Sequence, residues 1–365
     1  MAASKSLVEN LVTQNIDVWT SVIKKRSSQG RGSSKKIELY GIKKLRELIL
    51  GLAVRGLLVP QYPNDESASV LLEKIAAEKK RLIKGGKIKK PKILAGISEE
   101  EIPFELPNGW EWSRLGEVTN YGVADKVEPE GVSADTWILE LEDVEKETSK
   151  LLKKVRFADR EFKSSKNRFN KGDVIYGKLR PYLDKVLVAD EEGVCTTEMI
   201  PFKAYTCIES SFIRLVMKAP YFKSYANNST HGMNLPRMGT DKARLALIPV
   251  LSEAESTRIV AKVNELMALC DQLEQQTETS LTAHQTLVET LLNTLLNAPQ
   301  TTSYKGSCFD EAWNRLAQHF DVLFTTEHSI DKLKQAILKL AVMGKLVPQD
   351  PNDEPASELL VKIAK

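Results

Sequence analysis

The 365-residue sequence has no long apolar run, and its first residues, Met-Ala-Ala-Ser-Lys-Ser, carry no apolar stretch. A secretory signal and a membrane-spanning helix both need such a run, so a cytoplasmic protein with no membrane partner is expected. Cysteine is scarce. Cys195, Cys207, Cys270 and Cys308 stand far apart with no Cys-x-x-Cys spacing, which favours free thiols in a reducing compartment over a metal site or a disulfide framework. Catalytic signatures are missing as well. The Gly-Lys pairs at 86–87, 177–178 and 344–345 are followed by Ile, Leu and Leu, whereas a phosphate loop requires Ser or Thr there. There is no Asn/Asp-Pro-Pro-aromatic box, no glycine-rich cofactor loop and no carboxylate pair followed by lysine in the nuclease pattern, and the four histidines are dispersed. No catalytic residue and no bound metal or cofactor is therefore expected in this chain.

What is present is the balance of a globular protein, 42% hydrophobic and 28% charged, with length enough for two or three domains. The net charge of +3 hides an asymmetry. Residues 1–97 carry 20 basic and 8 acidic side chains, whereas residues 251–365 carry 10 and 16. That split suggests one end suited to phosphates and another suited to protein.

The strongest feature is a duplication. Ile42–Ala76 and Ile330–Ala364 align without a gap, with 24 of 35 positions identical. Both copies contain Leu-Ala-Val-x-Gly-x-Leu-Val-Pro-Gln-x-Pro-Asn-Asp-Glu-x-Ala-Ser, at Leu52–Ser69 and Leu340–Ser357. Ahead of it, Ile42, Leu45, Ile49, Leu52 and Ala53, and their counterparts Ile330, Leu333, Ile337, Leu340 and Ala341, fall at helical spacing. Gly56 and Gly344 are placed to cap these helices in the left-handed conformation, and Asp65 and Asp353 are placed as N-caps of a second helix. The 288-residue period is too long for a solenoid, so a whole domain lies between the copies. The second copy stops at Lys365, where the first runs on into Glu78-Lys79-Lys80-Arg81, as expected of the first half of something built twice.

Residues 79–92 hold eight basic residues in fourteen and read as a linker, either a solvated tether or one that also touches DNA phosphates. Structure resumes at Leu106-Pro107-Asn108-Gly109-Trp110-Glu111-Trp112-Ser113-Arg114-Leu115-Gly116-Glu117-Val118. This opening resembles the start of the target-recognition domains in specificity subunits of type I restriction-modification enzymes, and the duplicated element resembles their conserved regions. The resemblance spans most of residues 41–365. It implies an α+β chain: a mixed target-recognition domain, a long coiled-coil-forming helix, and flanking helical repeats. The implied partners are double-stranded DNA, DNA-adenine methyltransferase subunits and motor-nuclease restriction subunits. S-adenosylmethionine, ATP and Mg²⁺ would belong to those partners.

Within residues 137–250 short strands are expected at Trp137–Leu141, Asp173–Tyr176, Asp184–Ala189, Met199–Phe202 and Leu245–Pro249, with a helix from Ser210–Lys218 toward Tyr225. Two polar stretches interrupt this scaffold. One is Gly177–Lys185, continued after a strand by Gly193–Glu198; the other is Asn227–Met238. Residues 146–185 hold 13 basic against 5 acidic side chains. Reading base edges needs forked donors and amides, with cations on the surrounding phosphates. The candidates are Lys178, Arg180, Tyr182, Lys185, Thr196, Thr197, Asn228, Ser229, Thr230, His231, Asn234, Arg237 and Lys242. Each competes with the plainer reading of a solvated surface residue, and the resemblance favours Lys178, Arg180, Tyr182, Asn234 and Arg237.

After Pro249, Ser252-Glu253-Ala254-Glu255 forms a capping box that opens a helix of roughly 45 residues. Ile259, Val263, Leu266, Cys270 and Leu273 repeat at four-three spacing; Thr277, Ser280 and His284 interrupt, and Leu287, Leu291 and Leu295 resume. Such a seam fits a long partner helix, including one from a second copy of the chain, or else the core of a compact bundle.

The expected layout is an N-terminal helical extension at 1–40, the first repeat at 41–78, a basic linker at 79–104 and the recognition domain at 105–250. The spacer helix follows at 251–298, then a linker at 299–328 and the second repeat at 329–365. Two other functions remain open on sequence alone: a helical adaptor that binds only protein, and a stand-alone DNA-modifying enzyme with a cryptic site.

Overall fold

A computed structural model describes residues 14–25, 37–88, 90–91, 93–205, 208–298, 302–303, 306–347, 350 and 352–364. Cys207, part of the 1–40 extension, part of the 299–328 linker, Pro348, Gln349, Pro351 and Lys365 lie outside the described residues, as does the side chain of Cys308. The chain divides into two compact units, residues 1–271 and 272–365. Among the described residues no helix is long and apolar enough to cross a membrane, and no cluster of His, Cys, Asp or Glu could hold a metal.

The first unit begins with α1 (Ile16–Ser21), a two-stranded ribbon of β1 (Lys24–Lys25) and β2 (Ile37–Glu38), and α2 (Tyr40–Ala53). α2 buries Ile42, Leu45, Ile49 and Ala53 of the expected stripe and leaves Leu52 half-buried. It ends at Gly56, which is left-handed (φ 68°) and where a Cβ would strike the Pro107 ring. α3 (Ala68–Lys84) follows, burying Leu71 and Ile75. It starts three residues past Asp65, so Asp65 is not its N-cap; its carboxylate pairs with Arg258 instead.

The expected basic linker carries structure: α3 runs on to Lys84, and Arg114 gathers residues farther along. The buried Arg114 guanidinium donates to the carbonyls of Ala95 (3.2 Å), Gly96 (2.7 Å) and Leu245 (2.7 Å) and to both oxygens of Glu101 (2.9 and 2.7 Å). That guanidinium holds the Glu101 carboxyl down to about 2 from 4.5. The Glu101 charge thus adds stability that is complete above about pH 4.5 and is lost as pH falls through about 2. Glu101→Gln is expected to flatten the acid limb of a melting temperature against pH profile in that window and to leave its neutral-to-alkaline shape unchanged. An unaltered acid limb would show the pair to be idle.

The mixed domain starts with β3 (Glu111–Arg114), which pairs antiparallel with the last strand, β14 (Leu247–Val250), closing the domain on itself. Between them lie α4 (Leu115–Val118), β4 (Lys126–Val127), β5 (Trp137–Leu139), β6 (Val155–Arg156), β7 (Lys166–Phe169), β8 (Val174–Gly177), β9 (Val186–Val188), β10 (Gly193–Cys195) and β11 (Met199–Phe202). These form a five-stranded sheet in the order β4-β7-β10-β5-β6, with only β10 and β5 parallel, and a three-stranded sheet β11-β8-β9. Trp137, Leu139, Phe169, Ile175, Leu187 and Met199 make the core between them. Next come α5 (Ser210–Lys218) and α6 (Pro220–Asn228). The single helix expected from 210 toward 225 is broken by Pro220, which starts a new helix because proline has no amide to continue the old one. The hairpin β12 (Thr230–His231) and β13 (Arg237–Met238) and the short α7 (Thr240–Leu245) complete the domain.

α8 (Glu253–Asn297) is the expected long helix. Ser252 accepts from the Glu255 amide at 3.0 Å, as a capping residue should, but the Glu255 carboxylate does not return the bond. It accepts from the Trp110 indole at 3.0 Å and so ties the helix start to the domain opening. Ile259, Val263, Leu266 and Cys270 are buried, and Arg46 of α2 pairs with Asp271 at 2.8 Å.

In the second unit, the stretch expected as a linker holds a ribbon of β15 (Thr302–Ser303) and β16 (Gly306–Ser307), then α9 (Cys308–Gln318) and α10 (Phe320–Leu323). The second repeat supplies α11 (Glu327–Val342) and α12 (Ala356–Ile363). α12 begins after Pro355, so Asp353 does not cap it, while Gly344 is left-handed (φ 65°) as expected. The core joins Val288, Leu292 and Leu295 of α8 to Leu316, Leu323, Phe324, Ala336 and Leu340. Leu287, expected on the seam, is 51% exposed and Val288 takes its place; Leu273 and Leu291 are half-buried. Within the chain, α11 packs against this end of α8 on a face one position on from the expected seam. Lys345 completes the contact, donating to the carbonyls of Leu296 and Ala298 at 3.0 and 2.9 Å, at the helix end where a cation is favoured.

Candidate DNA interface

The two polar stretches, some fifty residues apart in sequence, are stitched into one surface. Leu179 bridges to Arg237, the Met238 amide donates to the Lys178 carbonyl at 3.0 Å, and the Arg180 amide donates to the Pro236 carbonyl at 2.7 Å. The Lys178 amide in turn donates to the Glu198 carbonyl at 3.0 Å, bringing in the stretch that carries Thr196 and Thr197. Lys178, Arg180, Tyr182, Thr197, His231, Asn234 and Arg237 thus share a ledge at the ends of β8 and β11 and the β12–β13 hairpin. Tyr182 and Asn234 are exposed, and Met233 stands almost wholly free at the hairpin tip. Such a ledge offers forked donors, an amide, a phenol and an apolar tip within one surface, the mixture that meets base edges and thymine methyls.

The candidates are not equally available. Arg180 is exposed, and its guanidinium donates to the Asn234 carbonyl at 3.5 Å. Arg237 donates from Nε and one terminal nitrogen to the Glu198 carboxylate at 3.0, 3.0 and 2.8 Å, so its fork is spent on holding the hairpin. The pairing also holds Glu198 below the usual carboxylate range. Lys185 points its ammonium to the Leu141 carbonyl at 2.6 Å and is half-buried, which places it in the scaffold. Thr196 is half-buried and its hydroxyl lies 3.5 Å from the Glu198 amide. Asn228 and Ser229 finish α6, and the Thr230 hydroxyl donates to the Asn227 carbonyl at 2.9 Å, so these residues shape the approach to the hairpin. Lys242 is exposed on α7, outside the stitched segments.

The turn that presents Arg180 and Tyr182 is conformationally costly. Arg180 (φ 50°) and Asp184 (φ 51°) both adopt the left-handed region on either side of a single 3₁₀ turn, Pro181–Leu183. For residues with a Cβ each such position costs on the order of 1–3 kcal/mol, sustained only by surrounding contacts. Those contacts converge on Lys218, at the end of α5. Its buried ammonium donates to the Glu147 carbonyl (2.9 Å), Ser149 Oγ (2.8 Å) and Asp184 Oδ2 (3.0 Å). Burial lowers this ammonium to about 8 and raises the Asp184 carboxyl, with the mutual attraction opposing both shifts. Sequence reasoning missed Lys218, Glu147 and the clamping role of Glu198. A lysine closing a helix looks like any solvated cation until the fold buries it.

The fold and the ledge define a mixed α/β domain that lies in sequence between two copies of one helical element. Over 98% of its length the chain is 46% identical to the type I restriction enzyme EcoAI specificity subunit of Escherichia coli, and to the same extent to the EcoEI specificity subunit of that organism. It is thus homologous to specificity subunits of type I restriction enzymes. The EcoDI specificity subunit, also from Escherichia coli, is 26% identical over 66% of the chain. The chain spans 61% and 60% of the length of the first two relatives and 50% of the third. A crystal structure of the HsdS subunit from Thermoanaerobacter tengcongensis is 22% identical, covering 56% of this chain and 54% of that one with a TM-score of 0.46. No protein-family model matches the sequence.

Proposed function

We propose that this chain is a non-catalytic DNA-recognition subunit that reads one half of a split target and docks DNA-adenine methyltransferase subunits. Through these it would engage motor-nuclease restriction subunits. The observation that carries the reading is the stitched ledge, in which Arg180 and Asn234 stand exposed on a rigid backbone frame, in a chain homologous along nearly all its length to specificity subunits. Methyl transfer and ATP-driven cleavage would then lie with the partners, together with S-adenosylmethionine, ATP and Mg²⁺. A second copy of the chain, joined through exposed parts of α8, would supply the other half-site and make the target palindromic.

Methylome sequencing of cells carrying this chain with its methyltransferase partner tests target and symmetry together. A split adenine-methylated motif is the expected result, palindromic if the chain pairs with itself. Unmodified DNA, alongside a co-purified and active methyltransferase, would reject the reading.

A further inference from the structure

Lys218 satisfies all three of its donors on two separate segments: the backbone at 147 and the hydroxyl at 149 on one loop, and the carboxylate at 184 on another. Ser149 adds a bond from its hydroxyl to the Asp184 carbonyl at 2.6 Å and accepts from the Val186 amide at 3.2 Å. The Glu147 amide donates to the Leu183 carbonyl at 2.8 Å, and Glu147 and Ser149 are themselves left-handed (φ 67° and 60°). Three left-handed non-glycine residues, Glu147, Ser149 and Asp184, therefore contact one buried ammonium, and a fourth, Arg180, opens the turn that Asp184 closes. Among the described residues these are the only non-glycine positions with positive φ. Strain concentrated in this way marks a segment whose shape matters more than its stability.

The knot does not end at the domain. The Glu147 side chain leaves it and pairs with Lys43 of α2 at 2.9 Å, on the first copy of the repeat. Lys43 also reaches Glu38 at 3.1 Å. A continuous set of polar contacts thus runs from the repeat helix through Glu147 and Lys218 to Asp184, two residues from Tyr182 and four from Arg180 across the turn. At the aligned position the second copy has Asp331 in place of Lys43, so only the first copy can make this link.

We propose that Lys218 and Glu147 are positioning residues for DNA reading: they hold the turn Arg180–Asp184 in its strained form and fix it relative to the first repeat helix through Lys43. The proposal rests on the assignment of the Arg180 ledge to DNA. Neither side chain touches DNA; both set where the Arg180 fork points. Loss of either link relaxes the turn and costs discrimination between sequences while leaving the cationic surface, and hence binding to arbitrary DNA, in place.

The test uses the full chain with its methyltransferase partner and a pool of random-sequence duplexes, with sequencing of the bound fraction. Glu147→Lys and Lys43→Glu, both at part-exposed side chains, are each expected to lower enrichment of the preferred sequence about tenfold, the value of one ordered base contact. Binding to the unselected pool should stay within about twofold. The double charge reversal should restore enrichment, a recovery that a merely structural role would not show. Lys218→Met is expected to act like the single variants; should it fail to fold, the Lys43 and Glu147 arm decides. Unchanged enrichment in the single variants, equal losses on selected and unselected DNA, or no recovery in the double reversal would each overturn the proposal. Arg180→Ala serves as the control: if it leaves enrichment intact, the ledge does not read DNA and the proposal falls with that assignment.

Discussion

Replacing Ile49 by alanine is expected to cost about 2–5 kcal/mol, whereas the same replacement at the aligned Ile337 should cost less than about 1 kcal/mol. The two residues occupy equivalent places in near-identical sequence, yet Ile49 is 0% exposed and Ile337 is 38% exposed. The first copy turns its Ile42, Leu45, Ile49, Ala53 stripe inward. The second leaves Ile330, Ile337 and Val342 open and buries Ala336 and Leu340 instead. The helix carries two apolar stripes, and each copy uses a different one. Three substitutions between the copies follow that difference: Leu48 becomes Ala336, a small residue that lets α8 approach; Gly51 becomes Lys339; and Leu57 becomes Lys345, which reaches the end of α8. Amide hydrogen exchange within each mutated helix reads the loss locally, which is needed because the copies lie in separate units. Equal losses at the two positions would contradict this division of faces.

Arg180→Ala and Arg237→Ala should separate reading from support. Arg180 is exposed and, among the described residues, no carboxylate pairs with its fork, so its loss is expected to lower discrimination by about 1–3 kcal/mol with little change in binding to random duplex. Arg237 clamps Glu198 and thereby the hairpin. Removing it leaves a part-buried carboxylate unpaired and loosens the frame, so selected and random duplexes should both be bound more weakly and the melting temperature should fall. Salt-titrated binding to the preferred sequence and to a scrambled duplex distinguishes the two patterns. A selective loss from Arg237→Ala beside an even loss from Arg180→Ala would exchange their roles.

The repeat, its helices and both glycine caps were legible because they depend on spacing and on local backbone demands. The long helix was legible for the same reason, down to the Ser252 cap. The Glu255 half of that box was not, since Trp110 outcompetes the helix amide from 145 residues away. Likewise Asp65 and Asp353 have the composition of N-caps, but tertiary pairing with Arg258 claims the first. At Leu287 the intrachain packing buries Val288 instead, since periodicity says which residues share a face and not which neighbour will cover it. In the mixed domain, residue type singled out Arg180 and Asn234, which the structure leaves exposed, yet composition could not show that Arg237 and Lys185 are already engaged. Lys218 gave no signal at all, because its importance comes entirely from the two loops, around 147–149 and at 184, that surround it.

The long helix has a further consequence. From Cys270 to Val288 it buries no side chain, although several are half-covered, and this span includes Thr277, Thr279, Thr282 and Thr286, whose hydroxyls donate back to carbonyls four residues earlier. Such bonds compete with the backbone ladder and bend a helix. An ordinary helix frays from its tips inward. This one is anchored by packed side chains at both ends and held at its centre by little besides its own hydrogen bonds, so its weakest turn lies in the middle, and local melting would begin there.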